Sequence, residues 1–312
     1  MKRGSSGLNL LLGVDKSEGL SSHDVVNRVR GILKERRVGH AGTLDPAATG
    51  VMLVGVGQGT RLMGLLTAET KSYVSTIAFG TSTNTDDAEG EVVDRRDVPQ
   101  ALEDPSVARG ILEGFVGPQL QTPPAFSAIS IDGRRAYQRA RAGEEVALEA
   151  RQIDVREAML LGIDRRDSDG TLCWTCAFTV SKGTYIRAIA RDLGAAAGTC
   201  AHLCALRRTA SGSVTLANCV TLDRLSECGA ERVGDVCLDP VAALGLTRVD
   251  LTRKELDDVL CGRRLTRKGR DLRESELVSM VYEDRLYGVW EACERSVRPK
   301  VNFPQGISGV GV

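Results

Sequence analysis

The chain has 312 residues, enough for about two domains and a large core, and its 42% hydrophobic and 26% charged residues are the balance of a soluble globular protein. Forty-one basic side chains meet 41 acidic ones, so the formal charge is zero. Binding of nucleic acid through bulk charge is therefore excluded, and only a local basic surface could serve.

No run approaches the eighteen or so apolar residues that span a bilayer, so no membrane association is expected. The stretch MKRGSSGLNLLLGVDK has a short apolar core that runs straight into Asp15 and Lys16. It reads as a first buried strand of a cytoplasmic protein rather than a signal peptide. The helix that follows should start at Ser21, because Ser21 with Asp24 three residues later forms a capping box ahead of Val25, Val26, Val29 and Ile32. Lys34, Arg36 and Arg37 sit where cations suit the end of that helix.

Residues 39–50, GHAGTLDPAATG, are the centre of the sequence. Gly39 and Gly42 give the backbone access to unusual dihedrals. Pro46 fixes its own φ and pushes Asp45 out of the helical region. A carboxylate pinned in this way is either a presented reactive group or the cap of a tight turn. VMLVGVGQGTRLMGLL then reads as strand followed by helix, and KSYVSTIAFG as a strand. TSTNTDDAEGEVVD is a polar turn into another strand, and 99–117 is a helix punctuated by proline.

The stretch 122–153 opens on a double proline and turns at Asp132-Gly133. It then gathers Arg134, Arg135, Arg139 and Arg141 around Tyr137, a mixture that suits an RNA surface and equally a solvated helix face. A strand is expected at 171–180. The helix after it should begin at Tyr185 and end near Gly194, placing Tyr185 and Arg187 at a strand-to-helix junction. CAHLCALRRTASGSV reads as a short helix before Arg207-Arg208, and 221–246 as a connecting helix and loop. From about 247 come a short helix, a basic run, and two strands around Glu283-Asp284. The tail QGISGVGV is expected to be poorly ordered.

Nine cysteines at irregular spacing do not make a disulfide framework. Cys173 and Cys176 resemble half a zinc site, with Cys200, His202 and Cys204 as a conceivable other half. Residues three apart on a strand point to opposite faces, so buried thiols are expected and no metal.

Six blocks carry a resemblance: DKSEGLSSHDVV, GHAGTLDPAATGVMLVGVGQGTRL, KSY, TPPAFSAISIDGRRAY, SKGTYIRAIARDLG and LRRTASG. In this order and spacing they resemble the bacterial tRNA pseudouridine synthases of the TruB type, over essentially the whole chain. The resemblance implies an α+β pseudouridine-synthase fold with a mixed, largely antiparallel central sheet. It places a catalytic domain at 1–246, carrying an RNA-clamping insertion at about 122–153, and a small β-rich PUA-like RNA-binding domain at 247–312. The activity implied is isomerisation of uridine 55 in the T loop of tRNA to pseudouridine, with no cofactor, no obligatory protein partner and a monomeric chain.

By the same resemblance Asp45 is the catalytic carboxylate, attacking covalently or removing a ribose proton, and Arg187 is the cation that keeps it ionised. Tyr73 stacks on the target base and helps move the proton released from the ring. Tyr185 lines the pocket, Leu206 contacts the base, and His40 helps fill or hold open the space the extruded base leaves. Arg134, Arg135, Arg139 and Arg141 belong to the insertion that closes on the T arm. The chain departs from the family pattern at Ser17, where proline is usual, and at Ser130, where lysine is usual.

Three other readings share parts of this pattern. One is a tRNA-folding chaperone in which catalysis is secondary. Another is a synthase within a guide-RNA particle, against which the insertion argues. The last is a glycoside hydrolase, which needs a second carboxylate such as Glu69 or Asp86.

Overall fold

The computed structural model describes residues 6–67, 70–127, 130–131, 133–136, 139, 144, 148–267 and 269–311. The chain divides into two compact units, one of residues 1–69 with 210–312 and the other of residues 70–209.

The first unit opens with β1 (Leu10–Lys16), α1 (Ser22–Leu33), β2 (Val38–Ala41), β3 (Thr49–Val56) and a short α2 (Met63–Leu66). Helix α1 starts as its sequence predicts, with Ser21 as N-cap and a reciprocal capping box to Asp24. Strand β3 is buried over all but its first residue. It pairs antiparallel with β1 (Leu10↔Val56 to Lys16↔Gly50) and with β2 (Val38↔Val56 to Ala41↔Leu53).

The second unit holds β4 (Lys71–Phe79), β5 (Thr81–Thr83), β6 (Val92–Arg95), α3 (Pro105–Glu113), β7 (Gly117–Gln121), β8 (Ser130–Ile131), β9 (Arg134–Arg135), β10 (Arg151–Arg165), β11 (Leu172–Val180), α4 (Ile186–Ala196) and β12 (Ala201–Ser211). Its sheet runs in the order β12–β4–β11–β10–β7, and β4–β11, β11–β10 and β10–β7 are all antiparallel. Trp174 is among the largest fully buried side chains. Its ring lies 4.6 Å from that of Phe79, and its indole N–H donates to the Leu102 carbonyl at 3.0 Å, so the buried polar edge is satisfied.

The chain then returns to the first unit. There it forms β13 (Val214–Thr215), α5 (Leu222–Arg232), α6 (Pro240–Leu244), β14 (Thr247–Asp250), α7 (Arg253–Leu260), β15 (Leu265–Thr266), β16 (Leu277–Tyr282), β17 (Arg285–Ala292) and β18 (Ser296–Ser308). The carboxy-terminal sheet is mixed, in the order β14–β16–β17–β18–β15, with β14–β16 the parallel pair. One apolar cluster combines Leu11, Val51 and Leu53 with Val289, Phe303 and Ile307. Residues 247–312 thus share a core with the start of the chain.

Three expectations change. CAHLCALRRTAS is a strand, not a short helix, because sheet pairing overrides the helix propensity of its Ala, Leu and Arg residues. The tail is ordered: Ile307 and Val310 are buried, the Val310 N–H donates to the Asp284 carbonyl, and the Gly311 N–H donates to Asp239. Helix α4 ends at Ala196, near Gly194 as expected. A Cβ at Gly194 would lie 2.4 Å from the Ala201 nitrogen, so this glycine serves a backbone-to-backbone approach. Gly39 lies within β2 opposite Gly55 and needs no unusual dihedral, whereas Gly42 does, at φ +81°.

Candidate active site

In the first unit, the 39–50 stretch leaves β2 at Ala41, turns at Gly42 and enters β3 at Thr49. Leu44 is buried and clamped by one side chain. The Ser22 hydroxyl accepts from its N–H at 2.9 Å and donates to its carbonyl at 3.0 Å. On the other side of Asp45, the Pro46 carbonyl accepts from the Gly19 N–H at 3.0 Å and from the Lys16 ammonium at 2.9 Å. Lys16 is fully buried, and its Nζ also donates to the carbonyls of Leu20 and Ser17. Three donors thereby meet three carbonyls, which is what a buried ammonium requires. The Ala48 N–H closes the turn onto the Asp45 carbonyl at 3.1 Å. Asp45 itself is half-buried, as is His40, which lies on β2 opposite Val54. Ser17 is tied into this arrangement through its carbonyl.

In the second unit, Tyr73 is buried on β4 opposite Phe178 of β11. Tyr185 is the N-cap of α4 and half-buried, and its peptide is read by Gln121: Oε1 accepts from the Tyr185 N–H at 2.9 Å and Nε2 donates to the Tyr185 carbonyl at 3.1 Å. Arg187 is only 6% exposed. It donates to the carbonyls of Thr85 at 3.0 Å and Phe126 at 3.1 Å, and lies 3.4 Å from the Asp87 carboxylate. One turn on, Arg191 pairs with Asp86 at 2.9 Å and donates to the Thr122 carbonyl at 2.9 Å. Burial pushes the Asp86 carboxyl above its ordinary value despite Arg191 and Arg187. Leu206 is half-buried on β12.

Tyr185 and Arg187 thus both lie at the start of α4. In the insertion, Arg134 and Arg135 form β9, which pairs with β8, and Arg139 pairs with Glu144 at 2.8 Å. Arg141, Tyr137 and Asp132 lie outside the described residues, as does Glu69.

Sequence reading missed Ser22, Lys16, Gln121 and Asp87. TDDAEG, an acidic loop facing an arginine-bearing helix, carried a signal for Asp87; nothing local to Gln121 marked it. Cys173 and Cys176 are buried on β11, and burial pushes the Cys176 thiol up to about 12. On β12 the Cys204 Sγ lies 3.5 Å from His202 Nε2, while His202 Nδ1 is 2.8 Å from the Thr81 carbonyl oxygen. Among the described residues no group of three or more His, Cys, Asp or Glu is placed to hold a metal ion.

Residues 30–186 match the model of the TruB family pseudouridylate synthase N-terminal domain, and residues 187–244 that of the tRNA pseudouridylate synthase B C-terminal domain. The tRNA pseudouridine synthase B of Leifsonia xyli is 41% identical over 305 residues, covering 96% of this chain and 98% of its own. The chain belongs to the TruB family of pseudouridylate synthases. Other relatives within the family include the tRNA pseudouridine synthase B of Thermobifida fusca, 51% identical over 68% of this chain and 73% of its own. That of Mycobacteroides abscessus is 45% identical over 83% and 85%.

The fold of this TruB-family chain recurs in solved structures of low identity. A chain of a Cbf5-Nop10-Gar1 complex superposes with a TM-score of 0.71 at 23% identity, covering 96% of this chain and 87% of that one. A chain of an H/ACA RNP bound to a substrate RNA containing 2'-deoxyuridine gives 0.70 at 22%, covering 94% and 84%. The expected α+β pseudouridine-synthase fold, with its carboxy-terminal β-rich part, is therefore the fold of this chain.

Proposed function

We propose that this enzyme isomerises uridine 55 in the T loop of tRNA, extruding the base and using Asp45 as its essential carboxylate. Conversion of uridine to pseudouridine in tRNA is the reaction of the family to which it belongs. The reaction breaks the bond from ribose C1′ to uracil N1, turns the base, and joins C1′ to C5. The C5 proton leaves and N1 gains one, so nothing is oxidised and no group is lost. A carboxylate and an enclosing pocket suffice, and the reading includes no cofactor.

The observation that carries Asp45 is the locking of both its neighbours, Leu44 by Ser22 and Pro46 by Lys16 and Gly19. A reacting group gains most when its geometry is fixed before substrate arrives. Arg187 keeps the carboxylate ionised, Tyr73 stacks on the uracil and helps move the C5 proton, and Tyr185 and Leu206 line the pocket. His40 helps fill or hold open the space the extruded base leaves. Stacking returns roughly 1–3 kcal/mol per base by substitution, against a cost of a few kcal/mol for unstacking.

Arg134, Arg135, Arg139 and Arg141 close the insertion on the T arm. The Arg139–Glu144 pair is partly exposed and of little net worth, so Arg139 can exchange it for a phosphate. Residues 247–312 act as a PUA-like module on the acceptor side. The enzyme works as a cytoplasmic monomer without an obligatory protein partner. Among the described residues no helix is long and apolar enough to cross a membrane.

Carbodiimide modification and primer extension on unmodified tRNA, treated with the purified protein in chelator, tests substrate, position and cofactor independence together. A single new stop reporting position 55 is expected. Stops elsewhere, or none without an added cofactor, would contradict the reading.

A further inference from the structure

We propose that Gln121 is a positioning residue that couples the root of the 122–153 insertion to Tyr185; this rests on the reading of Tyr185 as a pocket residue. Gln121 ends β7, is 2% exposed, and immediately precedes the insertion. Its amide does for Tyr185 what a neighbouring strand would do, accepting from the N–H and donating to the carbonyl. That pairing fixes which end of the amide is oxygen, because one partner is only a donor and the other only an acceptor.

The two residues are 64 apart in sequence. Two further bonds follow the same path: Arg191 donates to the Thr122 carbonyl and Arg187 to the Phe126 carbonyl. Three side chains therefore stitch residues 121–126 to the first turns of α4. A displacement of residues 121–126 must carry residue 185 with it or break these bonds. The position of residues 121–126 thus sets the place of the tyrosine against the base, and Gln121 is the link nearest to it.

The amide has an isostere that makes the claim testable. In Gln121→Glu, one carboxylate oxygen still accepts from the Tyr185 N–H, but the other faces the Tyr185 carbonyl and repels it. Protonation restores a donor at that oxygen and with it the original pair of bonds. Single-turnover release of tritium from T-arm RNA labelled at uridine C5 is measured for wild type, Gln121→Ala and Gln121→Glu, with RNA binding measured in parallel.

Gln121→Ala is expected to lose about tenfold in the chemical rate, the scale of a sub-ångström misplacement, with affinity changed less than about twofold. The rate of Gln121→Glu divided by that of wild type should rise at least about threefold from about pH 8 to about pH 5.5, as the buried acid gains its proton. The ratio cancels every titration the two proteins share. A flat ratio, or rate and affinity falling in step in both variants, would overturn the coupling. Wild-type protein that releases no tritium would instead overturn the reading of the site, and the coupling with it.

Discussion

Asp45 is held by its two neighbours, and the hold on Leu44 comes from a single hydroxyl 22 positions earlier in the chain. Ser22 is 3% exposed and satisfies both polar groups of the Leu44 backbone. Ser22→Ala should leave a buried N–H and carbonyl short of partners and cost about 1–3 kcal/mol of stability. Urea unfolding reads that cost. The same variant should lose about tenfold in kcat through the loosened Asp45 turn, and unchanged kcat in a folded protein would show that the clamp is irrelevant to chemistry. At this scale the sequence announced the groups proposed to meet substrate and hid those that place them. GTLDP and GTYIR stand out because glycine, proline and a charged or aromatic residue in a short run are locally conspicuous. Ser22 and Gln121 act on residues 22 and 64 positions away, and no local pattern encodes such a pairing.

Among the elements, those whose signals were local came out as their sequences predict. The capping box of α1, the alternation of β4 and the hairpin at Glu283-Asp284 are all present. Strand β12 did not, because its residues favour a helix and only pairing within the sheet decides the matter. The tail, expected to be poorly ordered as a chain terminus, likewise departs, for Ile307 is fully buried in the shared apolar cluster.

Helix α7 carries a testable electrostatic device in its cap. Burial acts upward on the Glu255 carboxyl, but hydrogen bonds from the Thr252 backbone and from Arg270 outweigh it and hold the group below its ordinary value of 4.5. A carboxyl depressed in the folded state contributes stability above its unfolded value and loses it as pH falls through the folded one. Glu255→Gln should therefore cost about 0.5–1 kcal/mol at neutral pH, allowing for solvent screening. The difference should be smaller at a pH below that ordinary value. Paired urea melts at the two pH values check it, and a difference independent of pH would contradict the assignment.

Over the whole molecule, zero formal charge excluded recognition by bulk attraction and turned attention to local surfaces. The fold class was legible because six motifs fell in register along the chain. The division into compact units was not, since residues 1–69 and 210–312 come together only in three dimensions. A folded RNA read mostly by shape can be held by such a neutral protein, provided its cations lie where phosphates approach. The measurement that bears most directly on the account is therefore the Asp45→Asn variant, which keeps the shape and hydrogen-bonding reach of the side chain and removes its charge. It should fold and bind unmodified tRNA as the wild type does, while tritium release from uridine C5 falls to background. Turnover close to wild type in that variant would contradict the claim that Asp45 is the carboxylate on which the reaction depends.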